Sequence, residues 1–519
     1  MKTLKRAACS AALMLLSGLS SFAQDVTLTS RDEKVVISGT LLGFDGEFYR
    51  VQTEYGELTV DGSGVSCRGP ACPNLQDFVA EIELSGAATM GAVLLPALLD
   101  AYAQRGGYTV ARDDVDATRF VLTLTRIDTG KTAARFGFRA SNTDEGFADL
   151  LADEADIVMA LREIRPEERA LARDAGMGDL TGQNRSRVLS LDAIVPIVSP
   201  GSPVKAIAPQ ALAEVFAGSM TNWKDLGGPD APIALHLPVA SSGLSQAIED
   251  QVMRPAGLEL AEGGTRHALP VGIARAVGRD PLALGITSYA ERRGNKVLTL
   301  GGGCGFALDA SRRTIKTEDY PLTAPMFLYF PARRLPLVAR EFLAFTRGPG
   351  AQNVIRRAGF VDQTPEEIPI DAQGNRFVHA ISVAGPEIPL EEIQRMASTL
   401  SPMARLTTSF RFETGSIRLD AQSRSNVQQL ARALEQGLYD ARKLLFVGFS
   451  DGEGAAKPNR EIALRRAEAV MRAVSAAAET ANLDRVDIGV DAFGEAMPMA
   501  CDDTAWGRQV NRRVEVWVR

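Results

Sequence analysis

The sequence predicts a multidomain α/β protein, on three observations. The chain has 519 residues, too many for one hydrophobic core and enough for about three domains. Residues 25–66 read as short β-prone runs joined by turn signals, and from about 78 to 362 strand-like and helix-like segments alternate. A third texture follows residue 405, where the apolar run 444–448 ends in an acidic, glycine-marked loop and a long helical period.

The first 23 residues read as a secretory signal. Lys2, Lys5 and Arg6 precede the apolar run AALMLLSGL, which is too short to span a bilayer, and Ser21-Phe22-Ala23 offers a cleavage site before Gln24. Cys9 precedes the apolar run and is not placed as a lipoprotein cysteine. The later run AVLLPALLDAYA is interrupted by Pro96 and Asp100, so a soluble, exported protein is expected. Hydrophobic residues make up 45% and charged residues 23%, which is ordinary for globular protein. Net charge is −7 overall; without residues 1–23 there are 54 basic against 64 acidic side chains, or −10. That balance argues against a nucleic-acid partner.

Residues 24–77 are expected to form a small β domain. The runs VTLTS, KVVISGTLLGF, EFYRVQTE and ELTVDG are separated by Asp45-Gly46 and Tyr55-Gly56, and Asp-Gly between β-prone runs signals a hairpin. Such a meander buries little core. Cys67 and Cys72 flank the turn-rich RGPA and are expected to pair in an oxidising compartment. A metal site there would need two more ligands nearby, and none are present. Cys304 and Cys501 fall in different predicted domains and are expected to be unpaired, while His236, His267 and His379 are scattered. No metal and no cofactor is expected.

Over 78–362 the alternation implies mostly parallel sheet with helices on both faces. GGGCG (301–305) lacks the Lys-Ser/Thr of a nucleotide loop and reads as a turn. Residues 363–404 are acid-rich and punctuated by proline, as in a tether, with LEEIQRMASTL as a short helix. In the last region Ala463, Ala467, Val470 and Val474 recur at helical spacing, with Asn459 as the expected N-cap. Arg465 then lies opposite that stripe with Glu461 and Arg472, and Arg466 lies about 60° from its centre, at the packed rim. There its stem can cover apolar surface, or its guanidinium can work with Asp451 at the preceding strand end. That pair suits a zwitterion, one charge at each end.

The last stretch resembles the OmpA-like peptidoglycan-binding domain over 405–519. Ser450-Asp451, Gly454, Asn459, Ile462-Ala463 and Arg466-Ala467 fall in register with its signature, and SFRFETGSIRL, GEAMP and NRRVEVWV resemble its flanks. The resemblance implies an α+β fold and peptidoglycan as partner, its diaminopimelate held by Asp451, Asn459 and Arg466. Phe449, Ser450 and Pro458 replace the family's His, Thr and Tyr. The region 78–362 resembles the PstS-like phosphate-binding protein of ABC transporters, a type II periplasmic binding protein. TNWKDLGG after the LAEVFAG helix carries the likeness, with GITSYAER, EDYPLTAPMFLYF and AQNVIRRAGFVD. It implies two α/β lobes hinged by two strands, the first using about 78–185 and 290–362.

An anion would lie between the lobes, at helix starts whose free N–H groups attract it. The resemblance places Thr89, Ser141, Thr143, Arg162 and Ser242 as contacts for phosphate or another small oxyanion. Ala87, Ala88, Ala160 and Leu244 stand where the family favours Ser or Thr, so weaker binding is expected. The leading expectation is a non-enzymatic periplasmic oxyanion-binding protein anchored to peptidoglycan, with an ABC permease as the partner such receptors serve. The alternative is an envelope scaffold whose binding-protein domain has lost its ligand. An enzyme is the weakest reading, because no nucleophile–base pair or metal cluster stands out.

Overall fold

The computed structural model describes residues 25–519 except 76, 183, 302–304, 383, 414 and 415. The expected signal segment, Cys304 and most of GGGCG lie outside the described residues. The chain divides into two compact units, one ending at Ala80 and including Arg334–Leu337, the other holding Glu81–Arg333 and Val338–Arg519. No described helix is long and apolar enough to cross a membrane.

The first unit is a five-stranded antiparallel sheet. In strand order it holds Gly56–Asp61, Phe48–Thr53, Val36–Phe44, Val26–Ser30 and Val65–Arg68. The Asp-Gly hairpin forms as the residues predict. The Asp45 carboxylate accepts from the N–H groups of Glu47 and Phe48 at 2.8 and 2.6 Å, and Gly46 takes φ +92°, a region open to glycine without a Cβ penalty. Val26, Leu28, Tyr49 and Val51 form the small core. The fifth strand, Val65–Arg68, is additional to the four expected and pairs with the first. Cys67 is disulfide-bonded to Cys72 across a Cα separation of 5.8 Å. Cys501, by contrast with expectation, is also disulfide-bonded; domain assignment from sequence said nothing of which loops meet.

In the second unit one long sheet carries both lobes. Strand Ser186–Val198 passes through it and is buried from Val188 onward, as its continuous apolar run requires. Its first half pairs antiparallel with Thr323–Tyr329, and its second half pairs with Ala283–Ser288. Strands Ser186–Val198 and Thr323–Tyr329 stand where the resemblance puts the two hinge strands. The first lobe adds Ile157–Ala160, Ala80–Ala87, Thr132–Ser141, Arg119–Arg126 and Tyr108–Asp114. The second adds Ala234–Pro238 and Thr265–His267. The sheet is mixed rather than mostly parallel: the first lobe ends in an antiparallel meander over residues 108–141. Lys296–Val297 pairs with the second-lobe end of Ser186–Val198, so the chain stays in that lobe past residue 290.

The C-terminal sheet has the order Glu367–Ile368, Ala404–Phe410, Arg513–Val518, Lys443–Phe449 and Asp487–Gly494. Helices Ala421–Glu435 and Ala456–Ala477 cover one face through Leu430, Ala467, Val470 and Val474. The other face is covered by residues read from sequence as a tether. Helices Gly374–Ser382 and Leu390–Leu400 place Ala380, Ile393, Met396 and Leu400 on Leu445, Val447, Phe449 and Trp517. Proline and acid are frequent in 363–404, but the apolar stripe of Leu390–Leu400 has a sheet to bury against.

Buried charges join this sheet to the binding-protein region. Arg405 is 1% exposed. It donates to both Asp319 oxygens at 2.6 and 3.0 Å and lies 3.4 Å from Glu515. Glu515 also accepts from Arg513 at 2.7 Å, Arg376 at 2.6 Å and the Trp517 indole at 3.1 Å. Burial alone would raise its carboxyl; Arg376, Arg405 and Arg513 together hold it below the usual carboxylate range. Removing one partner of such a buried set strands the others. Arg405→Ala is therefore expected to cost about 3–5 kcal/mol, read by denaturant unfolding of the full chain. Arg442→Ala, at the exposed pair with Glu367, should cost no more than about 1 kcal/mol.

Candidate functional site

The expected cleft contacts sit at the starts of short elements around the hinge. Gly86 has φ +128°, and a Cβ there would meet the Met159 carbonyl oxygen at 2.1 Å, so the first-lobe loop leaves its strand as only glycine allows. Ser85 is 2% exposed, and its hydroxyl donates to Asp149 at 2.5 Å. Thr89, half-buried, precedes the turn Met90–Leu94 and makes no side-chain capping bond. Asn142 caps helix Thr143–Leu151 by accepting from Glu145 N–H at 2.9 Å. It also donates to the Ser241 carbonyl of the second lobe at 3.0 Å. Among the described residues the Ser141 hydroxyl reaches only the Asn142 carbonyl, at 3.5 Å. The Thr143 hydroxyl accepts from Leu161 N–H at 3.1 Å, and Ser242 caps its own helix by accepting from Ser245 N–H at 3.1 Å.

Arg162 is the retained cation, and it is already neutralised. It donates to Glu168 at 2.6 and 2.8 Å, pairs with Asp144, and lies 4.0 Å from Asp250. These carboxylates come from three different elements, so no local pattern announced them. Between the lobes remains a cavity of about 20 Å³, walled by Thr89, Leu161, Asp192, Leu244, Ser288 and Met326 among others. That is roughly the room one water needs. Of the five expected oxyanion contacts only Thr89 lines it; Ser141, Thr143, Arg162 and Ser242 do not.

Asp192 was missed in sequence, although an acid inside the apolar run LDAIVPIV was the signal available. It is 3% exposed and accepts from Ser288 Oγ at 2.6 Å and from the N–H groups of Ala193 and Ala290 at 2.8 and 3.2 Å. Burial pushes its carboxyl up to about 6, against the lowering effect of the Ser288 hydroxyl. Ser245, fully buried, has a hydroxyl without a hydrogen-bond partner among the described residues.

The C-terminal candidates meet at one end of their sheet. Asp451 follows strand Lys443–Phe449 and pairs with Arg512 at 2.5 Å. Arg466 is 3% exposed while Arg465 is exposed, as the helical phase predicts. The Arg466 guanidinium lies 5.1 Å over the Phe412 ring and donates to the Ser416 carbonyl at 3.4 Å. Its Nε is buried without a hydrogen bond among the described residues. Burial and the nearby Arg512 lower its pKa, with Asp451 acting in the opposite sense. Asn459 is not the N-cap. The helix begins at Ala456 after Ala455, because Pro458 fits its first turn, where a missing N–H is no loss. Asn459 instead donates to Glu495 at 2.8 Å, and Gly452 N–H donates to Asp502 at 2.8 Å. Arg512, Glu495 and Asp502 were not singled out from sequence, although GEAMP and NRRVEVWV contained the first two.

Comparison with known proteins fits this architecture. Residues 73–348, more than half of the chain, match the model of the PBP superfamily domain, and residues 411–512 match the OmpA family. The chain therefore belongs to the PBP superfamily and carries a C-terminal OmpA domain. It is 26% identical over 239 residues to the phosphate-binding protein PstS of Staphylococcus haemolyticus, covering 44% of this chain and 71% of that one. With the phosphate-binding protein PstS of Bacillus subtilis it shares 27% identity over 180 residues, 34% of this chain and 58% of the relative. It thus spans less than two thirds of the second. The ABC-type phosphate transport receptor structure from Vibrio cholerae is 20% identical, with 54% of this chain and 99% of that chain covered and a TM-score of 0.41.

Asp192 makes the inter-lobe cavity sensitive to pH. Below pH 3.8 the carboxyl is protonated both folded and unfolded; between 3.8 and about 6 only the folded form keeps the proton. Stability from this group therefore falls as pH rises through that window, by about 3 kcal/mol in all. Asp192→Asn keeps the hydrogen-bonding geometry and removes the charge. Its stability gain over the parent should be about 3 kcal/mol larger at pH 7.5 than at pH 3.5, measured by urea unfolding.

Proposed function

We propose that the protein is a cell-envelope protein fastened to peptidoglycan by its OmpA domain, whose PBP domain is a rigid body for contacts with other envelope components and does not capture phosphate. One observation carries the second half: the inter-lobe cavity has room for about a water, and Arg162 already faces Glu168, Asp144 and Asp250. A buried phosphate loses hydration that few free donors here would replace. Membership of the PBP superfamily and OmpA domain, both typically non-enzymatic, supports a binding role in the envelope. The expected export signal supports the periplasm as its place there.

For the OmpA domain the supporting geometry is the charge arrangement. Arg466 is a buried cation with no carboxylate on it among the described residues, and Asp451 is held by a second arginine. A zwitterion such as diaminopimelate would give its carboxylate to Arg466 and its ammonium to Asp451, with Asn459 beside them. The full chain should sediment with purified peptidoglycan. Asp451→Ala and Arg466→Lys should each weaken it by about 10- to 100-fold, the cost of roughly 1.5–3 kcal/mol for a charge-assisted bond. Arg465→Ala should leave it unchanged, and equal losses for both arginines would refute the assignment.

The unpartnered Ser245 hydroxyl beneath the Ser242 helix start favours a second reading. The lobes would open about the hinge pair and take a small oxyanion on Thr89, Ser141, Thr143, Arg162 and Ser242. An ABC permease would be a partner only on this reading. Calorimetric titration with phosphate separates the two. On the first reading no binding heat depends on the cleft; heat that disappears in Ser242→Ala and Thr143→Val would establish the second.

A further inference from the structure

A larger cavity lies away from the cleft, where the PBP domain meets the OmpA domain. Its volume is about 360 Å³, within the roughly 300–1,000 Å³ range of small-molecule sites. One wall is the start of strand Ser186–Val198, with Arg187. Another follows helix Leu337–Phe345, with Arg347. The third is helix Ala421–Glu435, whose Arg424, Gln428 and Arg432 recur at four-residue spacing and share one face. Among the described residues the lining carries four arginines and no acidic residue.

These cations differ in how they are satisfied. Arg424 lies 3.7 Å from Glu163 and 4.0 Å from Glu413. Arg187 donates to the Leu343 carbonyl and, at 3.1 Å, to Thr346 Oγ1, but its Nε is buried with no hydrogen bond among the described residues. Arg432 donates from Nε to the Gln428 carbonyl at 3.0 Å. Among the described residues Arg187, Arg347 and Arg432 make no ion pair. Burial lowers Arg187 and Arg432 below the ordinary guanidinium range, and Arg347 adds to both, with Glu435 acting in the opposite sense on Arg432. An arginine does not shed its proton in answer; a counter-anion in the cavity would relieve this field. The walls are held in place around the space. Gln429 donates to Gln363, and Gln363 donates to the Val188 carbonyl at 2.8 Å.

We propose that this cavity binds a multiply charged oxyanion of the diphosphate or short polyphosphate class, held by Arg187, Arg347 and Arg432. Guanidinium forks match phosphate oxygens in pairs. One tetrahedral group would leave most of the space empty, whereas two or three linked groups would extend toward cations on more than one wall. The ligand touches both domains, so it strengthens their docking.

The test is calorimetric titration of the full chain with sodium pyrophosphate and tripolyphosphate at constant ionic strength. One bound ligand per chain is expected, with orthophosphate at least tenfold weaker. Arg432→Gln and Arg187→Gln should each weaken pyrophosphate at least tenfold. Arg347→Gln, at an exposed position that does not support the core, should do the same without a folding defect. Arg275→Gln, an exposed arginine remote from this lining, should keep the parent affinity. Absence of pyrophosphate binding, or binding that Arg347→Gln and Arg432→Gln leave unchanged, overturns the proposal. Equal affinity for citrate overturns the phosphate class.

Discussion

The second unit depends on the meeting of Arg405, Asp319 and Glu515. Asp319 precedes the hinge strand Thr323–Tyr329, while Arg405 and Glu515 lie on adjacent strands of the OmpA sheet. Each is nearly or wholly buried, and a buried charge is tolerable only when paired and hydrogen-bonded. The three therefore fix one another, and with them the register between two domains that length alone would predict to be independent. Lys316 repeats the device nearby, donating to Asp362 at 3.2 Å and Glu366 at 2.6 Å. A hinge strand tied to a second domain on this side has less freedom to flex than one flanked by a loose linker.

That constraint bears on the cleft. A receptor that closes on an anion needs lobes free to part and donors left free by the fold. Here Asn142 bridges the lobes, the Thr143 and Ser242 hydroxyls accept from backbone N–H groups, and Leu161 and Leu244 help fill the space between. The hinge strand Ser186–Val198 is long and buried from Val188 onward. Of the polar groups at the centre of the cleft, Asp192 and Ser288 satisfy one another, while the Ser245 hydroxyl has no hydrogen-bond partner among the described residues.

The C-terminal domain holds another incompletely paired group. Its site keeps a cation with an unused donor, Arg466, close to a carboxylate that a second arginine already holds. Buried polar groups are in general paired; the Arg466 Nε and the Ser245 hydroxyl are among those left without a hydrogen bond among the described residues.

The sequence by itself determined what depends on local repetition. The Asp-Gly hairpin, the buried run of Ser186–Val198, the strand–helix alternation and the phase that buries Arg466 but exposes Arg465 all follow from periods and turn chemistry within a few residues. The two domain resemblances were legible for the same reason, since their motifs are short and contiguous. Tertiary structure alone decided the rest. Residues 363–404 read as a tether because their composition is polar, yet they cover a sheet face that exists only after distant strands assemble. Arg162 was expected to meet an oxyanion, and Asp250 and Glu168 reach it only in the fold. Asp451 looked ready for a ligand, and Arg512 reaches it from the far end of the domain. Charge pairing acts over ångströms in space and ignores distance along the chain, so no sequence period records it.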